Sequence, residues 1–377
     1  MSSIIIAGDY SPKDRIADLI DAGKTEEIFA DIKSVLSEAD YNIVNFESAV
    51  ISNKSKLIKK SGPGMHCTPQ AVKLLKDIGF DAVTLANNHF RDYGDEGVNN
   101  SINEFEKNKL DYFGGGHNIE EAERVFYKEI AGKKVAFINV CEHEFSIASP
   151  TRGGSAPLEV IDVSQRIIEA KRLADFVVVI IHGGNEHYQL PSPRLKKTYR
   201  FFVEMGADIV INHHQHCFNG YEVYRGKPIF YGLGNFCFDW KGHRKQTWNE
   251  GYMVKIVLDD QISFEVIPYV QCDEEPTVRI MQGNKRIEFE KKISVLNQII
   301  ADDTLLNKEY DSFCQHRKRS IISSFTPYFT SYARIAVGHG LLPYMIPQQK
   351  LAAQTDLIEC ESHRDVLIKV LNEQIEK

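Results

Sequence analysis

Residues 207–216, with the sequence ADIVINHHQH, join a short apolar run to a group of histidines. Residues 208–211 predict a buried strand that ends at the first imidazole. His214 and His216 are separated by one residue, and alternate side chains of an extended segment point the same way. Both rings are therefore expected to face one point, and neutral imidazole is a common ligand for zinc and related ions. Histidines that merely pack or meet solvent are the alternative for this stretch taken alone.

The same arrangement recurs along the chain: an apolar run is followed at once by a residue that can bind a metal or transfer a proton. These further strand-end residues are Asp9, Asn45, Glu47, Asn88, His89, His182 and Asn235. In parallel or mixed α/β sheets, ligands bind at the edge where the carboxyl ends of the strands meet. The repetition therefore predicts one polar site assembled from five or six strands.

The bulk properties narrow the class of protein. The 377 residues suggest two or three domains, and 43% apolar with 26% charged residues is ordinary for a soluble protein. The 45 basic and 52 acidic residues leave a net charge of −7. This balance argues against a nucleic-acid binder or a protein held on an anionic membrane, although a local basic patch is not excluded.

The N-terminal residues and the cysteines predict a cytoplasmic location. The sequence MSSIIIAGDY enters the first strand with no basic region, long apolar segment or cleavage site before it, so neither secretion nor a transmembrane segment is expected. The seven cysteines are odd in number and lack CxxC pairs, as is typical of reduced thiols. Cys217 and Cys237 lie near the histidines in sequence, and packing is favoured over metal binding for both.

The element order is mostly strand–helix–strand, with a late antiparallel pair predicted at 251–259 and 262–270. Predicted helices cover residues 25–38, 69–79, 95–108, 164–174, 194–206, 291–307 and 355–376. Because no strand-end pattern recurs after about residue 285, we expect a first domain over 1–275 and a mostly helical C-terminal extension over 285–377. The apolar, aromatic stretch 328–346 either packs on its own domain, which is favoured, or contacts a partner or membrane surface.

Three consecutive glycines, residues 114–116, precede His117. Glycine lets backbone N–H groups approach a ligand, so an anion-binding turn with His117 beside the substrate is one interpretation. A tight turn is the other. The segment lacks the lysine of a P-loop, and nucleotide binding does not follow from it.

Taken in order, the motifs resemble the capsule-synthesis CapA (poly-γ-glutamate biosynthesis PgsA-like) family. The residues that carry the resemblance are Gly8-Asp9, Asn45-Phe46-Glu47, Ala86-Asn87-Asn88-His89 with Asp92-Tyr93-Gly94, His182-Gly183-Gly184, His213-His214-Gln215-His216 and Gly234-Asn235-Phe236. The similarity covers about residues 3–270. This family belongs to the calcineurin-like metallophosphoesterase superfamily.

The resemblance implies an α/β fold, a four-layer metallophosphoesterase-like sandwich of two mixed sheets flanked by helices. It also implies divalent metal ions, two of Mn, Fe or Zn, at the strand ends. Carried over by motif, Asp9 and His216 would bind the first metal, Glu47 would bridge, and the second would take Asn88, His182 and His214. His89 would donate a proton to the leaving group, and Asp92 would orient it.

Two positions depart from the superfamily pattern. Ser11 stands where the first motif usually has a histidine, and Glu47 replaces the usual aspartate. Both changes are expected to weaken the first metal site, which puts a dinuclear centre in question.

The function implied is a metal-dependent hydrolase or transferase that acts on a phosphoester, or on an amide of an anionic polymer or precursor, in capsule or poly-γ-glutamate biosynthesis. The residues expected to contact substrate are Asn45, Glu186, Asn235 and His117, and the basic segment 241–245 (KGHRK) could screen its charge. The alternative is a non-catalytic binding or scaffold subunit that uses the same cleft with capsule-synthesis partner proteins. A purely structural single metal is disfavoured, because the glycine-rich strand-end edge looks open.

Overall fold

A computed structural model describes residues 2–52, 55–60, 62–259, 261–324 and 331–343, together with 350–351, 354–355, 358 and 371. The chain divides into two compact units, residues 1–306 and 307–377. The strands are β1 (Ser2–Tyr10), β2 (Tyr41–Phe46), β3 (Ala49–Val50), β4 (His66–Cys67), β5 (Ala82–Thr84), β6 (Asp111–Phe113), β7 (Gly115–Gly116), β8 (Phe126–Ile130), β9 (Lys133–Cys141), β10 (Gly154–Ser155), β11 (Phe176–His182), β12 (Ile209–His213), β13 (Tyr221–Tyr224), β14 (Lys227–Phe230), β15 (Asn235–Cys237), β16 (Glu250–Leu258), β17 (Ser263–Gln271) and β18 (Val278–Ile280).

The helices follow the strand-and-helix order expected from the sequence. They are α1 (Arg15–Asp21), α2 (Ala30–Leu36), α3 (Pro69–Ile78), α4 (Gly94–Lys107), α5 (Ile119–Ala122), α6 (Val160–Leu173), α7 (Pro193–Met205), α8 (Gly283–Ala301), α9 (Asp303–Ser324) and α10 (Ser331–Gly338). The helix predicted at 69–79 is confirmed: Pro69 occupies its first turn, and Gly79, with φ 113°, ends it in the left-handed conformation. The helix predicted at 25–38 is shorter, because residues 26–29 form turns.

The first sheet has the order β18-β17-β16-β1-β2-β5-β6, and β15 pairs with the end of β1. Strands β1, β2, β5 and β6 run parallel, whereas β16 and β17 form the predicted antiparallel hairpin beside them. In this register Asp9 lies opposite Asn45 on one side and Asn235 on the other. Polar residues near the ends of β1 and β2 and at the start of β15 thus meet at one edge of the sheet.

The second sheet has the order β13-β14-β12-β11-β9-β8. Its four central strands are parallel, and the antiparallel strands β8 and β13 form its edges. His182, the last residue of β11, pairs with Cys141 on one side and with His213 on the other. The carboxyl ends of these strands therefore bring imidazoles to the edge of this sheet as well.

The two sheets pack face to face, and helices cover their outer faces. Alternate residues of each strand enter different cores: Ile4 and Ile6 pack between the sheets with Val178 and Ile180, whereas Ile5 and Ala7 face helices. Helices α1 to α4 bury apolar residues against the outside of the first sheet, and α6 and α7 do so against the second. Since both faces of the central strands are buried, their sequences are nearly continuous apolar runs. The predicted fold class, two mixed sheets flanked by helices, is confirmed.

Helix α8 belongs to the first compact unit, although residues after 285 were expected to form a separate extension. Phe289 and Ile293 are buried in the core between the sheets, and Ile300 and Leu306 pack with the outer face of the second sheet. The unit consequently reaches Leu306 rather than residue 275. The sequence pattern did not indicate this packing, because the buried residues of α8 are only Phe289, Ile293 and Ile300 in a helix that is otherwise mixed in polarity.

The second unit is helical where the structure describes it, with α10 and the C-terminal part of α9. Most of the helix predicted at 355–376, and residues 328–330 and 344–346 of the aromatic stretch, lie outside the described residues. None of the described helices combines the length and the apolar character needed to cross a bilayer. The cytoplasmic location stays a prediction.

Cys217 and Cys237 are free and buried, and neither belongs to a candidate ligand group among the described residues. Burial raises the pKa of the Cys217 thiol and that of Cys237, which disfavours the thiolate form that binds metals. The structure therefore places both as packing residues, as the sequence suggested.

Gly8 marks the closest approach between β1 and the segment that leads into β15. A Cβ on Gly8 would lie 1.9 Å from the backbone oxygen of Gly234, so no side chain fits there. We expect Gly8→Ala to lower the free energy of unfolding by about 3 kcal/mol, because two backbones must separate. In Gly132→Ala the new methyl group meets open space but retains φ 82°, so a smaller loss of about 1 kcal/mol is expected. Urea titration of both variants checks this prediction, and equal losses would contradict it.

Candidate metal centre

Glu47 and the strand-end residues form two groups that could each bind a divalent ion, within the described part of the chain. One group is Asp9, Glu47 and His216, and the other is Glu47, His182 and His214. In each group the ligand atoms lie within 4.8 Å of one another, and every member is buried. Ligands bound at about 2.1 Å around a tetrahedral ion stand about 3.4 Å apart. The spacing therefore suits two neighbouring cations that share Glu47.

Asn88 adds an amide oxygen to the second group. Its Oδ1 lies 3.0 Å from His182 Nε2, which is also 3.0 Å from His214 Nδ1. Glu144, which sequence analysis did not select, accepts a hydrogen bond of 3.1 Å from Asn88 Nδ2 and so turns the amide oxygen toward the imidazoles. Three neutral ligand atoms thus converge beside the Glu47 carboxylate.

His214 and His216 reach the site by a backbone conformation that differs from the one expected. Strand β12 continues through His213, and His214 and His216 then adopt φ values of 98° and 54°. Alternation along an extended segment is therefore the wrong explanation for their orientation. The left-handed turns separate the two rings, whose centroids lie 6.0 Å apart, so each ring joins a different ligand group.

The Glu47 carboxylate is the strongest indication that this site binds a positive ion. Its side chain is fully buried, and neither carboxylate oxygen has a hydrogen-bond partner among the described residues. Burial raises the pKa of Glu47 well above its ordinary value, and the neighbouring Asp9 raises it further. An unpaired buried carboxylate is costly, and a divalent ion would remove that cost. The donor set fits the metals that the sequence suggested.

Asp9 is held by two donors at the other end of the first group. Asn45 Nδ2 donates to its Oδ1 at 2.8 Å, and the backbone N–H of His214 donates to its Oδ2 at 3.3 Å. Burial nevertheless raises the pKa of Asp9 to about 7. Protons and a metal ion therefore compete for these carboxylates, and for Asp9 this competition falls near neutral pH.

The neutral form is favoured for two of the ligand imidazoles, those of His182 and His216. Burial lowers the pKa of His182 and of His216 well below the ordinary value, and nearby imidazoles lower both further. His216 Nδ1 lies 2.9 Å from Asn235 Oδ1, which leaves Nε2 facing Glu47 Oε1 at 3.7 Å. Such a second hydrogen bond is the usual way in which a protein fixes the ring of a metal-binding histidine.

Asn45 and Asn235 were expected to contact substrate, but the structure places them behind the ligands. Both are buried, and their amides are occupied by protein groups, Asn45 with Asp9 and Thr84, and Asn235 with His216. Glu186 is exposed after β11, close enough for its charge to raise the pKa of Glu47.

His117 does not join the site. It is exposed, and its Nδ1 lies 2.8 Å from Asn99 Oδ1. Gly115 and Gly116 form β7, which pairs with β10, and a Cβ on Gly114 would lie 1.9 Å from Asn139 Oδ1. The glycines therefore serve close packing rather than an anion-binding turn, and they direct His117 to the surface.

His89 stands beside the second group with a carboxylate behind it. Its Nδ1 lies 2.7 Å from Asp92 Oδ2, and its Nε2 lies 3.9 Å from Glu47 Oε1. The ring thus presents one nitrogen to the ligand groups while the other is held by Asp92, which is the geometry expected of a proton donor oriented by an acid.

His213 and Lys60 lie in the site, although no role was predicted for either from the sequence. His213 ends β12 and is buried, with Nδ1 3.4 Å from Asp9 Oδ1, and burial lowers its pKa to about 3. Lys60, in the loop before β4, forms an ion pair with Asp92. The adjacent histidine motif could have drawn attention to His213, whereas nothing near Lys60 in the sequence marks it.

The family described as "Bacterial capsule synthesis protein PGA_cap" matches residues 3–240 of the chain. The chain belongs to this family. The PGA_cap match includes each strand end that contributes to the two ligand groups, and it stops before the hairpin β16–β17.

Two relatives of this PGA_cap chain carry descriptive names. It is 32% identical over 245 residues to "Capsule biosynthesis protein CapA" of Bacillus anthracis, covering 63% of this chain and 60% of that protein. It is 34% identical over 218 residues to "PGA biosynthesis protein CapA" of Bacillus subtilis (strain 168), covering 57% of each chain. The chain therefore spans somewhat more than half the length of either relative.

Among solved structures, the chain is similar to a putative 5'-nucleotidase from Staphylococcus aureus in complex with alpha-ketoglutarate. The similarity has a TM-score of 0.43 at 14% identity, and it covers 78% of this chain and 58% of the other.

Metal binding by this PGA_cap chain is expected to tighten as the pH rises. Because burial raises the pKa of Asp9 to about 7, this carboxyl group holds a proton in metal-free protein below neutrality, and the raised pKa of Glu47 favours its protonated form as well. A metal must displace those protons, so the Kd for Mn²⁺ should fall about tenfold per pH unit for each proton released, up to about pH 7.

Calorimetry in buffers of different ionisation enthalpy measures both the Kd and the number of protons released. Asp9→Asn is the matched variant, and it should release fewer protons than the unaltered chain. An affinity that does not change over this pH range would contradict the prediction.

Proposed function

We propose that this chain is a divalent-metal-dependent hydrolase or transferase that acts on an anionic polymer, or on a precursor of one, in capsule or poly-γ-glutamate biosynthesis. The scissile group is a phosphoester or an amide. The family membership and the names of the two Bacillus relatives support the biological setting.

One observation carries the proposal: the fully buried carboxylate of Glu47 has no hydrogen-bond partner among the described residues and belongs to both groups of candidate metal ligands. In the proposed centre, Asp9, Glu47 and His216 hold one ion, and Glu47, Asn88, His182 and His214 hold the other. Mn, Fe or Zn suits this mixture of carboxylate, amide and imidazole ligands. Bound divalent ions polarise a phosphoryl or carbonyl oxygen and make a coordinated water more acidic.

The residues of the chain supply the remaining chemistry. His89 presents Nε2 toward the ligand groups, where it can protonate a departing oxygen or nitrogen. Asp92 holds the opposite ring nitrogen and stabilises the imidazolium from which that proton leaves. Asn45 and Asn235 fix Asp9 and His216, so the ligands need little rearrangement.

Positive charge beside the first group favours an anionic substrate. Trp248 lies 4.8 Å from His216 and 4.6 Å from His243, measured between ring centroids, so the basic segment 241–245 is close to the ligands. Lys245 pairs with Glu274 and Arg244 approaches Asp239, whereas Lys241 is exposed. The segment therefore retains part of its charge for a substrate.

The metal count tests the centre directly. We expect two ions per chain by elemental analysis after loading with Mn²⁺, and no more than one in Glu47→Gln, because the shared carboxylate is lost. Turnover of bis(p-nitrophenyl) phosphate or of γ-glutamyl p-nitroanilide should fall at least about a hundredfold in that variant. A Glu47→Gln chain that keeps both ions and full turnover would refute the shared site.

His89→Ala separates proton donation from metal binding. We expect this variant to retain both ions and to lose about a hundredfold to ten-thousandfold in kcat on a phenyl phosphoester or on γ-glutamyl p-nitroanilide, whose leaving oxygen or nitrogen needs a proton. His117→Ala is the matched control, because His117 is exposed, its Nδ1 lies 2.8 Å from Asn99 Oδ1, and it does not join the site. Unchanged kcat in His89→Ala would remove His89 as the acid.

The second candidate is a non-catalytic binding or scaffold subunit of a capsule-synthesis complex, and Ser11 is the observation that favours it. A serine at this position cannot supply an imidazole to the first group, and its Oγ lies 2.9 Å from Ser48 Oγ. This candidate would be supported over the hydrolase if the chain binds one metal ion and binds poly-γ-glutamate, but turns over neither bis(p-nitrophenyl) phosphate nor γ-glutamyl p-nitroanilide.

A further inference from the structure

Lys60 is a buried lysine beside the residues assigned to proton transfer. Only 2% of its side chain is exposed, and Nζ forms an ion pair with Asp92 Oδ1. Nζ also lies 3.1 Å from His89 Nδ1 and 5.4 Å from the centre of the Phe145 ring. Lys60 therefore belongs to the same enclosed cluster as His89 and Asp92.

The loop that carries Lys60 holds Asp92 at three points. Lys60 Nζ donates to Oδ1, the backbone N–H of Met65 donates to Oδ2 at 2.7 Å, and the backbone N–H of Ile58 donates to the Asp92 carbonyl at 2.8 Å. Both carboxylate oxygens are thus fixed, and Oδ2 is left facing His89 Nδ1 at 2.7 Å.

Stability alone is a poor explanation for this ion pair. Burying an ammonium and a carboxylate costs desolvation energy that their attraction often fails to recover, and apolar residues of similar volume stabilise such positions as well or better. The neighbouring Lys56 and Lys59 are exposed. Because this buried ion pair contacts His89, it is better explained by a role in positioning the His89 imidazole.

We propose that Lys60 is a positioning residue for proton transfer: it holds the Asp92 carboxylate in the orientation that directs the His89 ring toward the ligand groups. This inference rests on the proposed function, because it assigns Lys60 to the reaction in which His89 is the acid. Lys60 does not contact the ligand groups, so it acts through Asp92 and His89 alone.

Lys60→Met removes the charge and keeps the length of the side chain. In metal-loaded protein we expect kcat to fall roughly tenfold to a hundredfold on a phenyl phosphoester, whose leaving oxygen needs a proton. The loss should be smaller on the p-nitrophenyl ester, whose leaving oxygen needs little protonation. KM and metal content should stay within about twofold. Lys56→Met, an exposed lysine on the same loop, is the matched control and should change neither ester.

A double variant decides whether Lys60 acts through His89. In a His89→Ala background, Lys60→Met should cost less than about threefold, because residues that act as a unit are not additive. Lys60→Arg, which keeps the charge, should recover part of the loss. The proposal is overturned if Lys60→Met lowers kcat equally for both esters, or if it lowers kcat by the full amount in the His89→Ala background. Either result would show that the ion pair is merely structural.

A proton NMR measurement tests the positioning without turnover. The metal-free chain should show a downfield, slowly exchanging signal from His89 Nδ1–H bound to Asp92, assigned by its loss in His89→Ala. The signal should persist in Lys56→Met and broaden or vanish in Lys60→Met, or in Lys60→Gln if the first variant folds poorly. An unchanged signal in both overturns the proposal. If the unaltered chain turns over neither ester and does not cleave γ-glutamyl p-nitroanilide, the proposed function fails while this measurement still decides the role of Lys60.

Discussion

The buried carboxylate of Glu47 is the constraint on which the rest of this structure depends. It lies where the ends of two sheets meet, its oxygens have no hydrogen-bond partner among the described residues, and Asp9 stands close enough to raise its pKa. Folding tolerates such a group only if it is protonated or paired with positive charge. Among the described residues no lysine or arginine forms an ion pair with Glu47, whereas imidazoles and an amide oxygen lie at ligand distances. A site organised in this way favours an external cation over an internal ion pair.

The packing of the two sheets creates that site and keeps it rigid. Asp9, Asn45 and Asn235 come from neighbouring strands of the first sheet, and His182 and His213 end neighbouring strands of the second. Asn139 of the second sheet accepts hydrogen bonds from the backbone of Leu85 and Ala86 and donates one to the Ile180 carbonyl, so the segment leading to Asn88 is tied to both sheets. Because these contacts are buried, they restrict the positions that the ligand side chains can adopt.

Charged side chains are distributed unevenly around the centre, and the groups at different places suit different roles. Carboxylates and imidazoles face the proposed ions, while Lys60 and the backbone of the loop before β4 neutralise and hold Asp92 on the His89 side. The basic segment 241–245 lies near His216, with the Trp248 ring between His216 and His243.

The sequence by itself determined the α/β class, the principal strands and helices, and the set of polar residues that meet at one edge, because apolar periodicity, helix caps and polar strand ends are local features. The two-sheet sandwich was expected only from the resemblance to the CapA family. Only the tertiary structure decided which residues complete the site. His214 and His216 diverge through left-handed backbone rather than strand alternation, Asn45 and Asn235 stand behind the ligands, and His117 is carried to the surface by the pairing of β7 with β10. Lys60 and Glu144 are distant in sequence from the residues they contact, and α8 joins the core through a few buried side chains. Such contacts depend on the relative placement of two sheets and their loops, which no local pattern records.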